Sequence, residues 1–151
     1  MESSCGDLQQ MKQSWVGAEF CNGVYSARIP LLWKIVLEDG VLSFSNGSDD
    51  MAIVISLFTS EDASADFDTS WHLERYLQNA DSTQLEVAER SFNRSYVKYR
   101  NAEGRIWHVV FQAERPHLLL ITLNFSIDLQ AAERETCLAS FQSVGLIMGD
   151  R

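Results

Sequence analysis

The sequence predicts an α+β protein in which a single antiparallel β-sheet is flanked by two α-helices, in the order ββββ-α-ββββ-α. Two observations lead to this prediction. Short apolar segments rich in β-branched residues are separated by tight turns, which is typical of antiparallel strands. Two other segments carry apolar residues at helical spacing. Packing both helices against one sheet is the simplest way to bury their apolar faces.

The first half of the chain contains the candidate strands that precede the first helix. The four strands of the predicted order are residues 24–29, 33–37, 41–44 and 51–58, and residues 14–20 are a further candidate for a short edge strand. Pro30 is expected to close the second strand because proline cannot donate to a ladder. Asp39-Gly40 is a strong hairpin signal. The run "MAIVISLF" is short and continuously apolar, which predicts a central strand.

The first helix is expected to follow a polar, acidic loop at residues 59–66. Asp68 or Thr69 is a plausible N-cap, since both side chains can accept a hydrogen bond from the backbone of the first turn. Helical spacing predicts a buried stripe of Leu73, Tyr76, Leu77 and Ala80.

The second half of the chain predicts a meander of four strands followed by the second helix. The strands are residues 85–92, 96–100, 105–113 and 118–125, and short turns between them favour antiparallel pairing. Asp128 is expected to cap the helix and Gly145 to end it. The apolar face of this helix consists of Cys137, Leu138, Phe141 and Val144. Residues 1–13 are expected to be a flexible N-terminus, and residues 14–148 one domain.

The stretch "IPLLW", residues 29–33, together with this order of elements resembles the PsbP-like α/β/α fold over about residues 20–147. That fold includes photosystem extrinsic proteins, a Ran-binding protein, DcrB-like bacterial proteins and adaptors of type VI secretion effectors. The resemblance implies a fold whose members mostly bind other proteins and are rarely enzymes, and it assigns no role to any residue of this sequence. In structural terms, Pro30 ends ladder pairing and Trp33 is expected to anchor the chain in the core.

The charge is strongly acidic and unevenly placed. The formal net charge is −9, which works against nucleic-acid binding through phosphate contacts. Residues 38–81 hold ten acidic residues and one basic residue, Arg75, whereas residues 82–115 hold six basic and four acidic ones. An acidic surface accelerates encounter with a basic partner. Ordinary solubility is the alternative explanation for the excess of acidic residues.

The N-terminal sequence and the cysteines favour a cytoplasmic protein without disulfides. Residues 1–15 contain neither a basic n-region nor an apolar h-region, which argues against a secretory signal, and no run of about 18 apolar residues predicts a membrane span. The three cysteines, Cys5, Cys21 and Cys137, are far apart in the sequence, and reduced thiols are expected. Cys137 is expected to be a buried small thiol.

No motif indicates an enzyme, a cofactor or a metal site. The histidines, His72, His108 and His117, form no pair at ligand spacing, and no phosphate-binding glycine motif occurs. In "RIWHVVF", Ile106, His108 and Val110 are expected to share one face of a strand, which favours a core histidine over a catalytic base. An enzyme would need a histidine with a perturbed pKa in a cleft.

Two binding alternatives remain open. The stretch "RSFNRSYVKYR", residues 90–100, interleaves aromatic and basic residues, as in proteins that stack single-stranded nucleic acid, although a strand with one buried face is the preferred interpretation. A small-ligand carrier or sensor would need a pocket between sheet and helix, lined by Trp71, Trp107 and Tyr96.

The preferred hypothesis is a non-enzymatic protein-binding module, such as a bacterial immunity protein or a secretion-effector adaptor. Its expected partner is another protein, such as a basic toxin or effector, with no nucleic acid, membrane or cofactor involved. The candidate binding residues are acidic: Asp49, Asp50, Glu61, Asp62, Asp66 and Asp68.

Overall fold

The computed structural model describes residues 14–80 and 83–147, and within them the chain forms ten strands and two helices. The strands are β1 (Trp15–Phe20), β2 (Tyr25–Pro30), β3 (Lys34–Glu38), β4 (Val41–Ser45), β5 (Met51–Thr59), β6 (Thr83–Arg90), β7 (Arg94–Arg100), β8 (Ile106–Glu114), β9 (His117–Phe125) and β10 (Gly145–Leu146). The helices are α1 (Thr69–Asn79) and α2 (Ala131–Ser143). Residues 1–13, predicted to be flexible, and Cys5 among them lie outside the described part of the chain.

The strands form two antiparallel sheets, so the prediction of a single sheet is wrong. The larger sheet has seven strands in the order β3-β4-β5-β9-β8-β7-β6, and the smaller has three in the order β1-β2-β10. The α+β class and the antiparallel pairing are confirmed. The predicted order ββββ-α-ββββ-α is also wrong. Five strands precede α1, four strands lie between α1 and α2, and β10 follows α2. Pro30 ends β2, and a turn follows in which the Trp33 N–H donates to the Pro30 carbonyl, so the chain passes from the small sheet to β3 of the large sheet.

The two helices cover opposite faces of the large sheet. On the α2 face, α2 and β2 pack over the sheet and bury one continuous core. Its large side chains include Tyr25, Phe44, Ile53, Ile121, Leu123 and Phe141. On the α1 face, α1 packs over β7 and β8 around Leu73, Val97 and Val109. The sheet is therefore covered on both faces where its middle strands lie, as the apolar runs of β8 and β9 require.

The predicted N-cap of α1 is correct, whereas both predicted caps of α2 are wrong. The Asp68 carboxylate caps α1 by accepting from the Ser70 N–H at 3.0 Å. Asp128 does not cap α2, because residues 126–129 form a separate turn that places Leu129 in the core. Helix α2 starts after Gln130, which makes no side-chain cap. Its C-cap is Val144, and Gly145 begins β10 instead of ending the helix.

Candidate functional site

The most exposed apolar segment of the described chain is β3, the edge strand of the large sheet. All five residues of Lys34–Glu38 are exposed, although three of them are aliphatic. Side chains alternate along a strand. Ile35 and Leu37, which are 49% and 66% exposed, therefore lie on the α2 face, and Val36 lies on the α1 face. Neither face of β3 is covered by a helix or by the small sheet.

The exposed apolar surface continues into the loop before β3. Leu31 and Leu32 are 59% and 79% exposed, whereas Trp33 is half-buried against the core. The expected anchoring role of Trp33 is therefore confirmed, and the two leucines of "IPLLW" lie on the surface. We call Leu31, Leu32, Ile35, Val36 and Leu37 the apolar edge. Exposed aliphatic residues in such a contiguous run are unusual on a protein surface without a partner.

Sequence reasoning predicted the strand but missed its exposure. A strand with aliphatic residues on both faces normally predicts a buried position. The only sequence signal for an edge is that the proline and turn before β3 leave no neighbouring strand on that side. The sequence pattern therefore predicts an extended segment here and does not predict that it lies at the edge of the sheet.

The hairpin that joins β3 to β4 determines which backbone groups point to the open side. Asp39 and Gly40 have φ angles of 54° and 79°, and Glu38 is paired directly with Val41. In such a two-residue hairpin the flanking residues exchange both backbone hydrogen bonds. Alternation then directs the N–H and C=O groups of Ile35 and Leu37 away from β4, toward the open side of the sheet.

The opposite edge of the large sheet, β6, has features that disfavour pairing with another chain. Its register with β7 shifts between Thr83 and Glu86 and again between Val87 and Glu89. Ion pairs join Arg90 to Glu74 and Arg94 to Glu89 near this edge. Bulges and charged residues are the means by which proteins protect sheet edges. Along Lys34–Glu38 the β3 edge has no register shift, and its charged residues lie only at the two ends of the strand.

The six predicted acidic residues lie at two ends of the sheet, not in one patch. Asp49 and Asp50 lie in the turn before β5, and Glu61, Asp62, Asp66 and Asp68 lie in the loop after it. The nine residues of β5 separate the two groups, which at about 3.3 Å per residue is roughly 30 Å. All six are exposed.

Four of these carboxylates have local structural partners. Asp66 pairs with Arg115 at 3.0 Å, and Asp68 caps α1. Asp50 accepts from the Ser48 hydroxyl. The Asp62 carboxylate accepts hydrogen bonds from the backbone N–H and the hydroxyl of Ser64. Both bonds lower the pKa of Asp62, the backbone bond more than the hydroxyl bond. Across residues 14–80 and 83–147 the carboxylates of Asp49 and Glu61 make no hydrogen bond or ion pair.

His108 is a core histidine on the α2 face, as its strand pattern predicts. Its Nδ1 lies 2.6 Å from the Tyr96 hydroxyl oxygen, and its ring stacks against Phe125. Burial, and to a smaller extent the charge of Lys98, lowers its pKa to about 4. The pair borders a cavity of about 80 Å³ whose other walls include Val110 and Phe141. A space of this size is suited to a few water molecules and not to a substrate.

The other histidines and cysteines lie apart from this pair. His72, on α1, packs against Phe111 on the opposite face of the sheet, and burial lowers its pKa. His117 hydrogen-bonds the Thr59 hydroxyl at 2.9 Å at the end of β9. Cys137 is a buried free thiol whose pKa is raised to about 12, chiefly by burial, whereas Cys21 is exposed. Within the described ranges no three His, Cys, Asp or Glu side chains group to hold a metal ion.

A groove of about 400 Å³ lies between α1 and the sheet. Its walls are mostly apolar: Phe58, Phe67, Tyr76, Phe111, Leu118 and Leu120. The predicted lining by Trp71, Trp107 and Tyr96 is wrong. Tyr96 faces α2 while Trp107 packs on the α1 face, so one pocket cannot contain both. Trp71 is exposed on the helix surface, under the guanidinium of Arg75.

A second open cavity, of about 460 Å³, lies between the β2–β3 loop and α2. Trp15, Leu32 and Trp33 form one wall, and Glu133 and Thr136 contribute polar groups from the helix. It adjoins the apolar edge through Leu32. No titratable pair converges on it as a catalytic site would require.

The basic, aromatic stretch of residues 90–100 adopts the structural interpretation and not the nucleic-acid one. Tyr96 is bonded to His108 on the α2 face, whereas Tyr99 is buried on the α1 face with its hydroxyl 3.1 Å from that of Tyr76. Phe92 lies in the turn between β6 and β7. Because the three rings have no common face, they offer no platform on which successive bases could stack.

Neither α1 nor α2, the helices of the described ranges, has the length and the apolar run needed to cross a bilayer.

No protein-family model matches the chain, and no curated protein matches it in sequence. Its fold does match solved structures. The cyanobacterial PsbP of Synechocystis aligns with a TM-score of 0.60 and 13% identity, over 89% of this chain and 94% of its own. The Ran-binding protein Mog1p of Saccharomyces cerevisiae aligns with a TM-score of 0.53 and 12% identity, over 89% of this chain and 96% of its own.

A structure from Bacteroides thetaiotaomicron aligns with a TM-score of 0.53 and 16% identity, and this chain spans half of its length. The resemblance to the PsbP-like fold is therefore confirmed. Identities this low show the fold alone, since one fold hosts many functions.

Proposed function

We propose that this chain is a non-enzymatic protein-binding module that docks other proteins along β3. The observation that supports the proposal best is the exposure of all five residues of Lys34–Glu38 at the edge of the large sheet. An open edge strand offers unpaired backbone groups to an extended segment of a partner, which adds to the sheet as a further strand. Backbone hydrogen bonds then supply affinity, and side chains at alternate positions supply specificity.

The open backbone groups belong to Ile35 and Leu37, whose side chains are the most exposed of the three aliphatic residues of the strand. A partner strand beside β3 would therefore satisfy four backbone groups and cover Ile35 and Leu37 on one face and Val36 on the other. Covering apolar area contributes about 25 cal/mol per Å² before the costs of association are subtracted. Leu31 and Leu32 extend the same surface toward the cavity beside α2.

The acidic residues determine which partners approach fastest. Glu61, Asp62, Asp66 and Asp68, with Asp49 and Asp50 at the other end of β5, contribute to a net charge of −9. A field of this sign raises the association rate of a basic protein and depends on salt. A basic toxin or effector is the partner class we propose, with the chain acting in the cytoplasm as its immunity protein or adaptor. That one structural neighbour is described as a Ran-binding protein supports protein binding in general.

The experiment compares wild-type protein with two variants of one residue as baits for the proteins of the native organism. Leu37→Pro removes the outward N–H and leaves the bonds to β4 intact, whereas Leu37→Thr keeps the N–H and removes only the apolar side chain. A partner that docks on β3 is retained by wild type, is retained in part by Leu37→Thr and is lost with Leu37→Pro. Circular dichroism verifies that both variants are folded.

A partner retained equally by Leu37→Pro would place docking elsewhere on the protein. An association rate that does not fall as the salt concentration rises would contradict the role given to the acidic residues, because exposed charges are screened within about 8 Å at physiological ionic strength.

A second candidate function, a carrier of small apolar ligands, is favoured by the groove beside α1. Its volume of about 400 Å³ and its aromatic walls fit a ligand of modest size. Mass spectrometry of the purified protein under native and denaturing conditions tests this. A bound compound that is absent from a Phe58→Glu variant would support a carrier, and apoprotein alone in all preparations would oppose it.

A further inference from the structure

The sequence of β3 is self-complementary when two copies are placed antiparallel. The strand reads Lys-Ile-Val-Leu-Glu, with Val36 at its centre. A two-fold axis through Val36 places Lys34 opposite Glu38 of a second copy, and does so twice. It also places Ile35 opposite Leu37 of the second copy, again twice. Opposite charges and aliphatic pairs directly across a ladder are the favourable cross-strand combinations.

We propose that a second copy of this chain pairs with β3 and forms a symmetric dimer through the apolar edge. This inference rests on the proposed function, because it names an occupant of the same docking edge. The two seven-stranded sheets become one continuous sheet across the two-fold axis. Each face then matches its counterpart, since residues directly opposite in an antiparallel pair point to the same side.

The backbone supports this register. The N–H and C=O groups of Ile35 and Leu37 point to the open side, so Ile35 of one copy and Leu37 of the other exchange two hydrogen bonds, and the symmetric pair exchanges two more. Val36 meets Val36 of the second copy as the non-hydrogen-bonded pair on the axis, where side chains are closest. Centring the pair on Ile35 or Leu37 instead leaves Lys34 and Glu38 opposite uncharged residues.

The symmetry also limits the assembly to two copies. An interface in which the same patch is used by both partners closes on itself. After pairing, the remaining edge of the extended sheet is β6 at each end, with its register shifts and ion pairs. The dimer therefore covers an open edge that would otherwise favour aggregation, and a heterologous partner strand has to displace the second copy.

Two effects set the strength of the dimer. Each copy carries a charge of −9, so the copies repel one another at long range, and salt of about 0.15 M screens this repulsion beyond about 8 Å. The pairing of two five-residue strands covers less than the roughly 1,200–2,000 Å² of a standard stable interface. We expect a reversible dimer that forms at micromolar to millimolar concentrations.

Sedimentation of the full chain over a concentration series, with four charge states of β3, tests the inference. Lys34→Glu and Glu38→Lys each place like charges across the two-fold axis at both ion-pair positions. Each is expected to raise the dimer dissociation constant at least about tenfold. The double variant Lys34→Glu/Glu38→Lys restores opposite charges and is expected to dimerise as wild type does. An equimolar mixture of the two single variants is expected to form a heterodimer, since their charges are complementary.

A wild-type chain that stays monomeric up to millimolar concentration would overturn the inference. So would a dimer whose dissociation constant is the same in all four proteins, because another surface would then hold it. These outcomes are distinct from failure of the proposed function: a monomeric chain that captures a heterologous protein, and loses it with Leu37→Pro, retains that function. Capture that does not depend on Leu37, together with a dimer that responds to the charge variants as expected, would overturn the proposed function and retain the dimer. Thermal unfolding of each variant verifies that changes in assembly are not changes in folding.

Discussion

The hydroxyl oxygen of Tyr96 lies 2.6 Å from Nδ1 of His108, and the two rings stack with an interplanar angle of 16°. β7 and β8 place these residues side by side on the α2 face, under α2. Burial disfavours the charged imidazolium and lowers the pKa of His108 to about 4, and it raises the pKa of Tyr96. The pair is therefore a neutral polar contact inside an apolar core, which gives the fold a defined sensitivity to acid.

The stability of the fold is expected to fall as the pH drops below about 6.5. The unfolded chain takes up a proton at His108 near its ordinary pKa of about 6.5, whereas the folded chain does so only near pH 4. Between these values the unfolded state binds more protons, so His108 contributes stability above pH 6.5 that is lost toward pH 4. The expected loss from this group between pH 7 and pH 4.5 is about 2 kcal/mol. Urea unfolding at a series of pH values measures it.

Two variants separate titration from packing in that experiment. Tyr96→Phe removes the hydrogen bond and keeps the buried histidine, so it is expected to keep the pH dependence. Tyr96→Phe/His108→Phe removes the titrating group and is expected to flatten the profile between pH 4.5 and 6.5. An unchanged slope in the double variant would assign the acid sensitivity to other groups.

Replacing Thr69 by valine is expected to destabilise the docking of α1. The Thr69 hydroxyl donates to the Ser91 carbonyl at 2.6 Å and lies 2.9 Å from the Ser95 hydroxyl, and Thr69 and Ser95 are fully buried. Valine has the same shape but leaves the Ser91 carbonyl with one partner fewer. A loss of about 1–2 kcal/mol in the free energy of unfolding is expected.

Ser70→Ala is the matched control on the same helix turn, because the Ser70 side chain makes no hydrogen bond in the described structure. Denaturant unfolding compares the two variants, and equal small effects would mean that the buried hydroxyl contributes nothing.

Gly40→Ala is expected to weaken the hairpin that presents the apolar edge. Gly40 has a φ of 79°, a conformation that residues with a Cβ adopt at a cost of about 1–2 kcal/mol. Gly17→Ala is the control, because Gly17 has no positive φ and no atom within 4 Å of an added Cβ. The midpoint of urea unfolding is expected to fall for Gly40→Ala and to stay near wild type for Gly17→Ala. The reverse order would contradict the left-handed turn at residue 40.

Neutralising the acidic loop is expected to slow the binding of a basic partner. The variant with Glu61→Gln, Asp62→Asn, Asp66→Asn and Asp68→Asn removes four charges and keeps a capping side chain at the start of α1. The variant with Asp49→Asn and Asp50→Asn removes the charges at the other end of β5. Stopped-flow association at low salt is expected to slow about tenfold for the first and less for the second. Equal rates for wild type and both variants would assign the acidic residues to solubility alone.

Patterns of neighbouring residues predicted the local structure well. Asp39-Gly40 predicted the hairpin, Asp68 the start of α1, and the alternation around His108 the two faces of β8. These features depend on φ angles, capping and side-chain period, all of which act within a few residues. Asp128 failed as a cap because burying Leu129 required a turn before α2. A local capping preference is worth less than the burial of a leucine side chain.

The candidate site was less predictable than the fold. The six acidic residues belong to one acidic stretch of the sequence. In the structure they lie at the two ends of β5, because this nine-residue strand separates the loops that carry them. Tyr96 and Trp107 were expected in one pocket but lie on opposite faces of the sheet. In the register of β7 and β8, Tyr96 is directly opposite Val110, which is on the α2 face, whereas Trp107 is directly opposite Tyr99, which is on the α1 face. The register between strands determines such relationships, and register is not encoded in either strand alone.

The strand and hairpin patterns of the sequence predicted that residues 33–37 are extended and that Asp39-Gly40 follows them as a tight turn. The strand order of the folded sheet, which the sequence does not predict, places β3 at an edge with both faces uncovered, whereas β5 lies inside the sheet. The physical reason is that burial is a property of the whole assembly of strands. A strand of aliphatic residues can bury its faces only if other elements are available to cover them, and here β2, α1 and α2 cover the middle of the sheet and leave β3 open.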